Sequence, residues 1–172
     1  EDNFYLVDER DPEAFSLVAK RTIHEVAHQW WGHLLTPKNT SGSGLIVEGF
    51  AKYTEAVVME KYYGMPSLYQ LSTTANHNYF NGRSYASKAE HPLYLEQGEN
   101  YMLYGKSYIV MTAVKELIGE DVLNGVLKTL VNRYKNEIDP TVTSADFLYE
   151  LYKVTPEEYH TLIDDWFKKI IT

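Results

Sequence analysis

DPEAFSLVAKRTIHEVAHQWWGHLL, residues 11–35, is the stretch that sets the architecture. Asp11 can cap a helix, Pro12 fits the first helical position, where no amide proton is needed, and Glu13 complements the helix dipole. Helix signals dominate from there, so a long helix is expected from about residue 12 to about residue 35, stopped by Pro37. Inside it lies His24-Glu25-Val26-Ala27-His28. Residues four apart on a helix differ by about 40° around its axis, so the two imidazoles project the same way and can share one ion. Glu25 follows the first histidine by one position, which sets its carboxylate beside the pair without making it a ligand.

A His-Glu-x-x-His string arises by chance about once in fifty chains of this composition, so its context decides its weight. Here it lies among Val26, Ala27, Trp30 and Trp31, where an unpaired polar cluster would be costly. A hydrolytic zinc takes three protein ligands, commonly two histidines and a carboxylate, and keeps one position open. Residues 38–44 form a polar, glycine-rich turn that would lay a second helix, residues 45–63, alongside the first, with Gly64 beyond its last turn. Glu48 lies early in that helix and is the only acidic residue between Glu25 and Glu55, which makes it the candidate third ligand beside His24 and His28.

Composition narrows the function classes. No cysteine is present, so disulfides and thiolate metal sites are excluded and a tight metal site must use His, Asp and Glu. The net charge of -8, with no Lys/Arg-rich run, disfavours nucleic acid as a partner. No segment has the apolar length of a membrane span, and no secretory signal pattern opens the chain, so this segment is expected to be a soluble domain of undecided compartment. Beginning without Met, it is expected to be part of a longer protein. One domain spanning residues 1–172 and mainly α in class is expected, with strand character confined to residues 3–7. Later helices are expected at about 67–79, 100–118, 119–135, 143–153 and 156–170. Asn81-Gly82 and His91-Pro92 serve as breakers, Thr155 and Glu158 as a capping box, and the long loop 88–100 as the border of a site.

His24-Glu25-Val26-Ala27-His28-Gln29-Trp30-Trp31-Gly32, followed by Val47-Glu48-Gly49-Phe50-Ala51, resembles the membrane alanyl aminopeptidase family of zinc metallopeptidases, the gluzincins, over most of the chain. The run Trp30-Trp31-Gly32-His33 and residues 55–64 are most similar to peptidase domains associated with ABC-type transporter permeases. This resemblance implies the helical, zinc-binding C-terminal part of a thermolysin-like catalytic domain with a helical extension, belonging to a membrane-associated bacterial protein. It further implies one zinc ion on His24, His28 and Glu48, Glu25 as catalytic base, and hydrolysis of peptide substrates of the aminopeptidase type.

Tyr104-Gly105-Lys106-Ser107 resembles the family's Tyr-Glu-Lys-Gly segment, which implies that Tyr104 hydrogen-bonds the oxyanion; the competing reading is one more packing tyrosine. Glu55, two turns beyond Glu48, either orients a ligating histidine through its second nitrogen or is a surface carboxylate. His33 points away from His28, and His77, His91 and His160 have no ligand-spaced partner. Two departures stand out: the interval from His28 to Glu48 is one residue longer than usual in the family, as in the permease-associated branch, and Val47 replaces the usual Asn. The family's amino-group anchor, Gly-x-Met-Glu-Asn, is absent, and Gln97-Gly98-Glu99-Asn100 lies on the wrong side of the ligands to replace it. A segment without the upstream β-rich lobe is expected to turn over substrate poorly. The alternative function is a transporter-associated peptide-binding or sensing module that keeps the fold and metal but cleaves little or nothing.

Overall fold

A computed structural model describes residues 12–37, 41–136 and 141–170, and it is helical throughout. Among the described residues seven α-helices follow in order: α1 Pro12–Ala27, α2 Phe50–Tyr63, α3 Met65–Tyr85, α4 Ser107–Ile118, α5 Glu120–Tyr134, α6 Ser144–Val154 and α7 His160–Lys168. Among the described residues, β pairing is confined to isolated bridges, Trp31 with Leu35 and Pro37 with Val142. The strand expected over residues 3–7 lies outside the described residues.

The first helix is shorter than its sequence suggests. It ends at Ala27, and the amides of His33, Leu34 and Leu35 reach back five residues, to the carbonyls of His28, Gln29 and Trp30 at 3.3, 3.1 and 2.9 Å. Gly32, at φ 111°, supplies the left-handed residue on which this reversal depends. The change of path brings Trp31 and Leu35 into the core, where the Trp31 indole donates to Thr54 Oγ1 at 2.9 Å. A straight helix would have sent them elsewhere, so burial overrides the local helical pattern.

Two other segments wind wider than an α-helix. Leu45–Gly49 runs directly into α2, with the Phe50 amide donating five residues back to Leu45. Tyr101–Lys106 runs into α4, with the Ser107 amide donating five residues back to Met102. Wide turns of this kind are rare and gather at functional sites. The two lie against each other, and a Cβ on Gly49 would stand 3.2 Å from that of Ser107, the residue that follows the second.

Helix α3 runs on to Tyr85, through the Asn81-Gly82 pair expected to break it. Gly82 serves contact instead of termination, since a Cβ there would fall 2.1 Å from Tyr101 Cβ. Thr155 opens no helix but closes α6, its amide and its hydroxyl both donating back to the Leu151 carbonyl, the hydroxyl at 2.8 Å, while Thr143 and Asp146 form a capping box at the start of α6. In the connection after α3, the Glu96 carboxylate accepts from the amides of Gln97, Gly98 and Glu99, each at 2.9 Å, and folds the approach to the second wide turn.

An aromatic series crosses the core. Trp31 meets Phe50 at 5.3 Å between ring centroids, Phe50 meets Phe147 at 4.9 Å, and Phe147 meets Phe167 at 5.8 Å. These edge-on contacts tie the exit of α1 to α2, α6 and α7. A smaller cluster of Ala56, Met59, Leu71, Ala75 and Tyr108 joins α2, α3 and α4. No helix among the described residues is long and apolar enough to cross a membrane.

Candidate metal centre and cleft

His24 lies in the last turn of α1 and His28 one residue past its end, yet the rings stay adjacent, with centroids 4.8 Å apart. The bend begins after His28, so the four-residue spacing still acts. His28 Nδ1 stands 3.0 Å from the Trp31 carbonyl, which can only accept, so Nδ1 carries the proton and Nε2 presents its lone pair. Holding one ring nitrogen on a carbonyl and freeing the other is how proteins orient a ligating histidine.

Glu48 comes from the first wide turn and faces both rings. Its Oε2 is 3.3 Å from His24 Nε2 and 3.7 Å from His28 Nε2. One ligating atom from each of His24, His28 and Glu48 lies within 4.8 Å of the others. Two imidazole nitrogens and a carboxylate oxygen converging on one point, with half-buried side chains, match the donor set of a catalytic zinc centre. The fit is chemical as well as spatial.

Behind the rings, Glu55 Oε2 stands 3.2 Å from His24 Nδ1, near enough for ion pairing but misaligned for a straight hydrogen bond. Glu55 is itself buried and takes both of its charge-assisted bonds from Lys52, at 2.8 and 2.7 Å. Of the two readings of Glu55, the surface carboxylate is therefore excluded by its position. His33 is exposed and turns back to the His28 carbonyl, with Nδ1 at 2.6 Å. His77 bonds Asn81, and His160 faces the carbonyls of Tyr152 and Thr155, away from the cluster.

Tyr104 projects from the second wide turn. Its ring is 5.9 Å from that of His24, and its hydroxyl lies close enough to Glu48 for the two to influence each other's charge. Burial and the proximity of Glu48 and Glu25 push its pKa upward, so the phenol keeps its proton. Burial would raise Glu48, yet the bond from His24, the proximity of Tyr104 and the nearby imidazoles hold it below the usual carboxylate range. Burial likewise opposes charge on His24, but Glu48 and Glu55 together raise its pKa from 6.5 to about 9.

A cleft of about 400 Å³ opens beside this cluster at His24, with Glu25, Glu55, Asn78 and Tyr104 in its walls and Lys20 and Arg21 at one side, while His28 and Glu48 line a separate cavity of about 450 Å³. Glu25 is exposed and lines the cleft. Asn78 and Tyr104 also line an adjoining cavity of about 620 Å³, walled by Gly98, Glu99 and Asn100 from the loop that precedes the second wide turn. The expectation that this loop borders a site thus has a structural counterpart.

Reading the sequence missed the two wide turns and a buried pair, Glu90 with Lys106. The turns carry a faint signal, a glycine at or near the end of each (Gly49, Gly105); the pair carries none, because its partners lie sixteen residues apart on different elements.

A sequence profile of the peptidase family M1 domain matches residues 2–166. The human endoplasmic reticulum aminopeptidase 2 is 28% identical over 114 residues, which is 60% of this chain and 11% of that protein. The chain therefore spans only a small part of that relative's length. No solved structure matches the chain.

Proposed function

The chain belongs to peptidase family M1, and on that premise we propose that it is the zinc-binding catalytic lobe of an aminopeptidase-type hydrolase. The supporting observation is the convergence of His24 Nε2, His28 Nε2 and Glu48 Oε2, at 3.3 and 3.7 Å, with His24 also lining a cleft that presents Glu25 and Tyr104. His24, His28 and Glu48 would hold the ion, a role in keeping with the zinc dependence general to the family. Bound there, zinc would supply Lewis acidity.

The protein's own groups divide the remaining work. Glu25, exposed to the cleft and outside the ligand set, takes the proton of the attacking water on its carboxylate and returns it to the departing amine nitrogen. Tyr104, kept protonated, turns its hydroxyl from Glu48 toward the oxygen on which negative charge develops. Glu55 fixes the His24 ring from behind, and the Trp31 carbonyl does the same for His28. Lys20 and Arg21 make one side of the cleft cationic, suited to the carbonyl groups and carboxyl terminus of a peptide.

The same proposal places the chain with permease-associated peptidase domains, on the strength of Trp30-Trp31-Gly32-His33 and residues 55–64. A non-cleaving sensing module would need the metal cluster but not a carboxylate and a phenol poised over it, so the hydrolytic reading is preferred. The test is hydrolysis of peptides with free and with acetylated amino termini by the full-length protein, before and after chelation. Zinc-dependent cleavage restricted to free amino termini is expected. A zinc-loaded protein that cleaves neither would end the proposal.

A further inference from the structure

Behind the wall that carries Tyr104 lies an ionic cluster that the chemistry above does not use. The side chains of Glu90 and Lys106 are 3% and 4% exposed, and the Lys106 ammonium donates to Glu90 Oε1. The Tyr79 hydroxyl donates to Glu90 Oε2 at 2.9 Å, and Arg83 Nε lies 3.7 Å from the same oxygen. Three separate segments meet here: α3 through Tyr79 and Arg83, the following loop through Glu90, and the second wide turn through Lys106.

Stability is a poor reason for such a cluster, because an apolar group of similar shape commonly does as well as a buried ion pair. Buried polar groups are better attested as devices that select one register among several. A choice of register exists here. Tyr101–Lys106 winds as a wide turn, and a return to α spacing would rotate one flank against the other by about 100°. Lys106 ends that turn, two residues after Tyr104. Between them, Gly105 lies so close to α3 that a Cβ would stand 2.8 Å from the Tyr79 amide nitrogen. Tyr79 therefore touches the turn through its backbone and Glu90 through its hydroxyl, and the next residue back, Asn78, lines the cleft with Tyr104.

We infer that Glu90 is a positioning residue: by holding Lys106 and Tyr79 together it locks the wide turn in the register that keeps Tyr104 in the cleft of His24 and Glu25. The kinetic consequence rests on the hydrolytic function proposed above, while the placement of Tyr104 does not. The two are therefore measured separately.

The test compares the parent protein with the apolar replacement Glu90→Leu/Lys106→Met/Tyr79→Phe and with the milder Glu90→Gln. Both carry fluorotyrosine, and the Tyr104 ¹⁹F signal is assigned by its loss in Tyr104→Phe. The triple variant is expected to unfold at or above the parent midpoint and to keep its metal and KM. Its kcat should fall by about tenfold to a hundredfold, with the Tyr104 signal moved toward that of an exposed tyrosine. Glu90→Gln should move the signal in the same direction, and it decides the matter if the triple variant fails to fold. An unmoved Tyr104 signal in a folded variant overturns the inference, as does an unchanged kcat. If the parent cleaves no peptide, the proposed function fails, and the signal alone still decides the role of Glu90.

Discussion

If His24, His28 and Glu48 hold zinc as proposed, the ion must compete there with a proton. Glu48 and Glu55 raise His24 to about 9 from its ordinary 6.5 in the metal-free protein. At pH 7.5 a group of pKa 9 is about 97% protonated, whereas one of 6.5 is about 9% protonated. A ligating imidazole must be deprotonated, so zinc binding at pH 7.5 should expel about one proton from His24 instead of about a tenth of one. The sign follows directly: because the metal-free pKa is raised, affinity climbs with pH up to about 9, by roughly tenfold or 1.4 kcal/mol per unit below that value. Calorimetric titration of the metal-stripped protein in buffers of different ionisation heat reads the proton count, and repetition between pH 6 and 8 reads the slope. Release near a tenth of a proton with nearly flat affinity would refute the claim that the two carboxylates load a proton onto His24. Glu55→Gln supplies an internal control and should flatten the slope.

Three further outcomes are expected. Glu25→Gln should keep its metal and lose hydrolysis by about 10²-fold to 10⁴-fold, while His24→Ala loses both; equal metal loss in the two, read by elemental analysis, would contradict their separate roles. Tyr104→Phe should lower kcat by about 10²-fold to 10³-fold with little change in KM, and steady-state kinetics showing the loss in KM alone would assign it to packing or binding. Gly82→Ala forces a Cβ to within 2.1 Å of Tyr101 Cβ and should cost about 1–3 kcal/mol, seen as a lowered denaturation midpoint; an unmoved midpoint would show that α3 and the second wide turn separate freely.

Local rules carried much of this far. The closeness of His24 and His28 follows from their spacing, and it survives the early end of α1 because the bend falls after His28. Glu48 was legible as the sole acidic residue between Glu25 and Glu55, and the approach of Glu55 to His24 follows from two turns of the second helix. What was not legible depends on distant partners. The path after Ala27 is decided by where Trp31 and Leu35 can be buried. Gly82 looks like a helix breaker until Tyr101 is found against it. The wide turn bearing Tyr104 is closed by a lysine whose partner lies in another segment, an arrangement that no window of sequence contains.

The two wide turns have an effect on the residues they bear. Each opens a helix with one position more than α spacing would use, so the residues of the turn keep a different angular phase from those of the helix behind it. Glu48 and Tyr104 are thereby uncoupled from the packing stripes of α2 and α4, whose apolar residues answer to the core. Removing a single residue from either turn would leave a perfectly good helix with its chemistry facing the wrong way.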